Sequence, residues 1–225
     1  MSTYILNTAF TDKQLDMLYI TGTNVIIAKP TGGGTPNVAW QVFKPMQSNQ
    51  LSWGEEYGIY ASTSGVTNGA ILSQLSSVPV GAATNKLYTL EPSSKISGPA
   101  SGGSAGSYTL LNKYAEKDYM TVGLYQNANV NGTDIIGNAL SAAPVLLSST
   151  ASMTPYTTVY IWLQSQVISN TVVTTVTSPM TILKFGGEVT EISVAYDSAS
   201  GKFLPVPSVT QRSIATDFHY LEASL

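Results

Sequence analysis

Apolar and polar residues alternate with a period of two along much of the chain. In TTVYIWLQSQV, Val159, Ile161 and Leu163 fall on one face of an extended strand while Tyr160, Trp162 and Gln164 fall on the other, because successive strand side chains point to opposite faces. NVIIAKP, VAWQVFKP, SYTLLNKY, TVVTTVTSP, MTILKF and EISVAYD read likewise. Gly, Pro, Asn and Ser clusters separate these runs, and the pattern predicts about a dozen strands in an all-β chain. One helical signal stands out: Thr11 and Gln14 in TDKQLDML have the spacing of a capping box. The same residues serve equally well as a hairpin connection between YILNTAF and MLYITG.

The chain also repeats itself. GIYASTSGVTNGAILSQLSSVPV (58–80) and GLYQNANVNGTDIIGNALSAAPV (123–145) align without gaps, bringing Gly58 and Tyr60 onto Gly123 and Tyr125, and Pro79 and Val80 onto Pro144 and Val145. Each copy reads as strand, turn and strand, a unit unable to bury its apolar face alone, so the copies are expected to pack as related parts of two facing sheets. The expectation is a single antiparallel β-sandwich domain over residues 1–225, built from repeated hairpins, with little or no helix and no dividing linker. SSKISGPASGGSAGS (93–107) is predicted to be a long, flexible surface loop within it.

NANVNGTD (127–134) has three readings. A calcium loop needs carboxylates and a bidentate Glu at its twelfth position, where this stretch has neutral Asn127, Asn129 and Asn131 and then Asn138. Asn131-Gly132-Thr133 is a sugar-acceptor triplet, which matters only on a secretory route. Asn-Gly favours the positive φ angles of a tight hairpin, and the other copy of the repeat carries Asn68-Gly69 in GVTNGA. The turn reading is the one adopted.

Charged residues make up only 10% of the chain, against about 25% in average soluble proteins, so Ser, Thr, Asn, Gln and Gly must form much of the surface. The formal net charge is −3 with scattered Lys and Arg, which offers no basic stripe for nucleic acid. There is no cysteine, which excludes disulfides, thiolate metal sites and a cysteine nucleophile. MSTYILNTAF has neither the basic start nor the apolar stretch of a signal peptide. A cytoplasmic or non-classically secreted protein is expected, without stable membrane insertion, since no segment approaches the roughly 20 apolar residues of a spanning helix.

The chemical motifs are weak. GGSAG centres on Ser104, but a nucleophile elbow needs a strand before the serine and a helix after it. His219, the single histidine, has Asp217 two residues away; groups two apart on a strand share a face but seldom bond, and one histidine builds no nitrogen-rich metal site. Glu55 and Glu56 are adjacent, so on a strand they point apart and cannot flank one sugar as a glycosidase pair does. TGGGTP (31–36) lacks the Lys and following helix of a phosphate loop and reads as a hairpin or crossover loop. No catalytic residue and no metal are expected. What remains is aromatic: Trp40, Trp53 and Trp162 lie in predicted strands, where core packing is the default role. Together with Tyr60 and Tyr125 they are the residues expected to meet a planar ligand in an aromatic pocket.

The cysteine-free length, with the phrases LSWGEEYGIYAS, TVGLYQNANVNG and EISVAYDSASGKF, resembles the pink chromoproteins of oyster mushrooms and related basidiomycete proteins. That resemblance implies a fungal fruiting-body protein that holds a small aromatic pigment of the indolone type non-covalently and without catalysis. It transfers no binding residue. Two other functions fit the pattern of residues: a fungal-type lectin using the GVTNGA and NANVNGTD hairpins, and a membrane-lytic toxin in which the Ser/Thr-alternating SNTVVTTVTS (169–178) converts to a hairpin in lipid.

Overall fold

Alternation in the sequence becomes alternation in burial. In the strand Thr3–Ala9 the buried side chains are Tyr4, Leu6 and Thr8. In Thr158–Ser165, Val159, Ile161 and Leu163 enter the main core while Trp162 and Tyr160 pack on the opposite face. A computed structural model describes residues 3–206. His219 and Asp217 lie outside the described residues.

Over the described residues the fold is all-β and sandwich-like, with several sheets and none closed into a barrel. A nine-stranded sheet runs in the order Lys202–Pro205, Glu191–Asp197, Thr3–Ala9, Ser48–Gly54, Tyr119–Val130, Gly58–Ser62, Ser76–Val78, and Thr133–Ala139 and Ala143–Leu146 also pair with the long strand Tyr119–Val130. One four-stranded sheet is Thr150–Met153, Tyr108–Asn112, Lys86–Leu90, Ile96–Ala100; the other is Thr181–Lys184, Thr158–Ser165, Thr23–Ala28, Gln41–Phe43. Residues of these three sheets, including Leu6, Leu51, Val122, Leu110, Ile27 and Ile161, meet in one apolar core; a fourth, two-stranded sheet pairs Val38–Ala39 with Thr171–Val172 outside it.

Two strand pairs depart from the antiparallel expectation. Thr3–Ala9 runs parallel to Glu191–Asp197, and Lys86–Leu90 runs parallel to Tyr108–Asn112. Tight hairpins force antiparallel neighbours, but strands joined through long excursions are free of that constraint. The TDKQLDML ambiguity resolves as helix Asp12–Ile20: Gln14 N–H donates to Thr11 Oγ1 at 3.4 Å and Thr11 N–H donates to Gln14 Oε1 at 2.9 Å, completing the capping box, with Leu15 and Leu18 buried. The 93–107 stretch is not loop throughout. Its residues Ile96–Ala100 form an edge strand against Lys86–Leu90, which Gly and Pro tolerate because an edge leaves one side of the ladder unpaired.

The repeat has a specific structural meaning. Gly58–Ser62 pairs antiparallel with Tyr119–Val130 so that Gly58 faces Tyr125, Ile59 faces Leu124 and Tyr60 faces Gly123. The two Gly-x-Tyr motifs therefore face each other around a local pseudo-twofold axis at Ile59 and Leu124, each tyrosine lying over the other copy's glycine. Tyr60 OH donates to Ser141 O at 2.6 Å and Tyr125 OH donates to Val78 O at 3.1 Å, so each hydroxyl reaches the second half of the opposite copy. The symmetry stops at the turns. Asn131 and Gly132, with φ of 52° and 84°, close a two-residue hairpin between Val130 and Thr133. Asn68-Gly69 instead sits in a longer connection docked on the 170–175 segment, where Gly69 N–H donates to Val172 O and Asn68 Oδ1 accepts from Thr174 and Thr175 N–H. That docking replaces the second tight hairpin expected from the repeat.

Candidate functional site

Three polar side chains break the core at one place. Lys29 follows Val25 and Ile27 on the inward face of its strand, Glu55 follows Leu51 and Trp53, and Gln126 follows Val122 and Leu124. All three point inward by strand parity. Lys29 is only 1% exposed, and its Nζ donates to Glu55 Oε1 at 3.0 Å, to Gln126 Oε1 at 3.0 Å and to Tyr57 OH at 3.3 Å. Glu55 Oε1 also accepts from Trp53 Nε1 at 3.1 Å, and its Oε2 accepts from Tyr57 OH. The Trp40, Trp53 and Tyr57 rings surround the amine, with centroids 5.3 to 5.5 Å from Nζ, close enough for cation–π attraction.

Burial governs the titration of this group. Removal from water lowers the Lys29 amine from 10.5 to about 8, with Glu55 pulling in the opposite direction. Burial, reinforced by the Glu55 charge, raises the Tyr57 phenol well above its ordinary value. Trp40 Nε1 donates to the Gln126 backbone carbonyl at 3.1 Å, fixing the strand that carries the amide.

Beside this cluster lies a cleft of about 590 Å³ between the Gly-rich loop 31–36 and the segments 141–146 and 149–153, a size that suits a small molecule. Asn37 ties the two walls at one end, its Nδ2 donating to Ala142 O at 2.7 Å and its Oδ1 accepting from Ala142 N–H at 3.3 Å. Thr154 N–H donates to Thr31 O and Tyr156 N–H to Pro30 O, tying the 154–156 segment to the base of the loop. Lys29 is the only charged residue of the lining among the described residues, and its ammonium is spent on Glu55, Gln126 and Tyr57. The cleft surface is thus uncharged, made of Gly32–Gly34, small apolar residues such as Ala142 and Ala151, and Ser and Thr hydroxyls.

The five aromatics singled out in the sequence fall into three places. Trp40 and Trp53 meet edge to face at 5.8 Å beside Lys29 in the main core. Tyr60 and Tyr125 share a second cluster under the repeat. Trp162 lies in a third, on the outer face of its sheet, where Val167, Val173 and Val176 cover it. All five are buried, and none borders the 590 Å³ cleft. Trp53 alone borders a shallower depression of about 270 Å³ beside Asn127, Asn129 and Asp134. In that depression Asn129 binds Asp134 and Gly132 N–H, and Asn127 binds Gly137 N–H, so these amides serve the hairpin itself.

Sequence reasoning did not single out Lys29 or Gln126, and it dismissed Glu55. Their parity with neighbouring core residues was the available signal. Glu56, by contrast, is exposed, as its opposite parity requires. Ser104 precedes a strand and hydrogen-bonds Ser152 Oγ at 2.9 Å. Among the described residues no group of three or more His, Cys, Asp or Glu side chains converges as a metal site, and no helix is long and apolar enough to cross a membrane.

The chain matches no protein-family model, no curated protein and no solved structure. The fold and the cleft define a β-sandwich with an uncharged, small-molecule-sized recess beside a buried ionic cluster.

Proposed function

We propose that this is a non-catalytic binding protein that holds a neutral, planar small molecule in the cleft between the 31–36 loop and the 141–153 segment. The uncharged lining carries this reading: a charged ligand entering it would lose hydration with no counter-ion in return. Gly32–Gly34, Ala142 and Ala151 present flat, side-chain-poor walls, which suit a planar ring, while the Ser and Thr hydroxyls and loop amides offer hydrogen bonds to its polar edge. A pigment of the indolone type, as the resemblance to basidiomycete chromoproteins implies, has these properties. The five buried aromatics then pack as core and do not stack on the ligand.

The carbohydrate reading draws less support, because Trp53 is buried and the hairpin amides are internally bonded. The toxin reading needs residues 169–178 free to refold, whereas Val173 and Val176 cover Trp162 and Ile26. The test is the visible and ultraviolet spectrum of protein from its own source, followed by mass spectrometry of an organic extract. A neutral aromatic compound should be recovered, and Ala143→Trp, which fills the cleft, should abolish its retention while the far-ultraviolet circular dichroism is unchanged. A colourless protein yielding no small molecule, or a folded Ala143→Trp variant that still retains it, would refute the assignment.

A further inference from the structure

We propose that Lys29 and Gln126 become covalently joined through an intramolecular isopeptide bond, formed by the protein itself with Glu55 as the proton-transfer group. The ingredients are in contact: the buried Lys29 amine lies 3.0 Å from the Gln126 amide oxygen and 3.0 Å from a Glu55 oxygen, with three aromatic rings around it. An amine attacks a carboxamide only when neutral, close and supplied with a base. Burial lowers this amine to about 8, which favours the neutral form that the attack requires.

The reaction balances without a co-reactant. Lys29 Nζ bonds to Gln126 Cδ, and the Cδ–Nε2 bond breaks. Glu55 takes the proton from Nζ and returns it to Nε2, which leaves as ammonia, so nothing is oxidised or reduced. Hydrogen bonds from Trp53 Nε1 and Tyr57 OH hold Glu55 against Nζ, while Gln126 Nε2 is hydrogen-bonded to Gly54 O and must swing toward Glu55 once Nζ has joined Cδ. Tyr57 is a positioning residue. Gln126 Nε2 donates to Gly54 O, and Gly54 borders the shallower depression, which gives the leaving group a short way out. The bond would join the sheet that contains Thr23–Ala28 to the long strand Tyr119–Val130 of the nine-stranded sheet.

Intact mass spectrometry of the purified full-length protein tests this directly, with no variant required. The expected mass is that of the sequence less one ammonia, and a chymotryptic digest should contain a branched peptide joining the Lys29 and Gln126 segments. An unshifted mass would overturn the proposal. So would a loss of ammonia mapped to Asn68-Gly69 or Asn131-Gly132, where cyclisation of an Asn-Gly pair releases the same mass. Gln126→Met should show its full sequence mass, and so should Glu55→Gln; a branched peptide persisting in Glu55→Gln would overturn the role given to Glu55.

Discussion

The facing Gly-x-Tyr motifs make a sharp energetic prediction. A Cβ added at Gly58 would lie 2.2 Å from Cε1 and Cζ of Tyr125 and 2.7 Å from its hydroxyl. Gly58 is outside the left-handed backbone region, so the backbone itself accepts alanine and the collision with the ring is the whole obstacle. Overpacking of this kind costs roughly 1–3 kcal/mol, loss of the Tyr125–Val78 hydrogen bond costs about 1 kcal/mol, and the stiffer alanine returns up to about 1 kcal/mol. Gly58→Ala is therefore expected to destabilise by about 2 kcal/mol. Tyr125→Ala should cost about 3–5 kcal/mol for a deleted buried aromatic. In the double variant the ring is gone, and Gly58→Ala should become neutral or stabilising by about 0.5 kcal/mol, a coupling of at least about 2 kcal/mol. Urea unfolding followed by circular dichroism measures all four corners of the cycle. Equal cost of Gly58→Ala in both backgrounds would refute the reasoning. The pseudo-symmetric site should behave differently: a Cβ at Gly123 would lie 1.9 Å from the Ser141 carbonyl oxygen, which is backbone, as well as 2.5 Å from Tyr60. Removing the Tyr60 ring should not rescue Gly123→Ala.

Two further outcomes follow from local geometry. Gly132 has φ of 84° with open space around its Cα, so Gly132→Ala should cost about 1–2 kcal/mol from backbone strain alone, read as a lower urea midpoint, and leave ligand retention untouched. Burial raises the Tyr60 phenol above its ordinary value, so above pH 10 the unfolded chain loses this proton while the folded chain keeps it. By linkage, stability present below pH 10 is lost as pH rises, by about 1.4 kcal/mol per unit for this group. Tyr60→Phe, about 1 kcal/mol less stable at pH 8 through its lost hydrogen bond, should match or exceed the native protein at pH 11; a gap that stays constant from pH 8 to 11 would exclude this assignment.

Local devices were readable in the sequence because each is written within a few residues. The Asn131-Gly132 turn and the two faces of Thr158–Ser165 depend on short spacing alone, whereas the Thr11/Gln14 spacing was visible but left helix and hairpin equally open until the structure showed the helix. The parallel pairings were not, since Thr3–Ala9 finds Glu191–Asp197 across nearly the whole chain. The cleft was hidden for the same reason: its walls come from 31–36 and 141–153. Lys29, Glu55 and Gln126 were obscured by a conflict between two signals. Parity continued each inward row of apolar residues, whereas their polarity argued for the surface, and only mutual contact resolves that conflict in favour of burial. The aromatic residues carried two readings in the sequence, core packing by default and contact with a planar ligand; the fold buries them as core and as the wall around an amine.

A Lys29–Gln126 bond would act on the cleft as well as on stability. Lys29 immediately precedes the loop that forms one cleft wall, while the other wall hangs from the strand system of Gln126. Fixing these two points limits how far the walls can part, and a preorganised site binds with less ordering cost. The two joined residues are 97 apart in sequence, and closing a loop of about that length in the unfolded chain is worth roughly 4–5 kcal/mol by the chain-entropy relation for cross-links. That is comparable to the whole net stability of many domains, and it acts through the unfolded state. A linked unfolded chain is more compact and exposes less surface, so the native protein should show a smaller urea m-value than unlinked Gln126→Met. Loss of a buried contact alone would lower the midpoint and leave m unchanged. The slope of the unfolding curve therefore separates a covalent tie from a hydrogen-bonded one, and a slope identical in the two proteins would leave Lys29 as a buried ion pair.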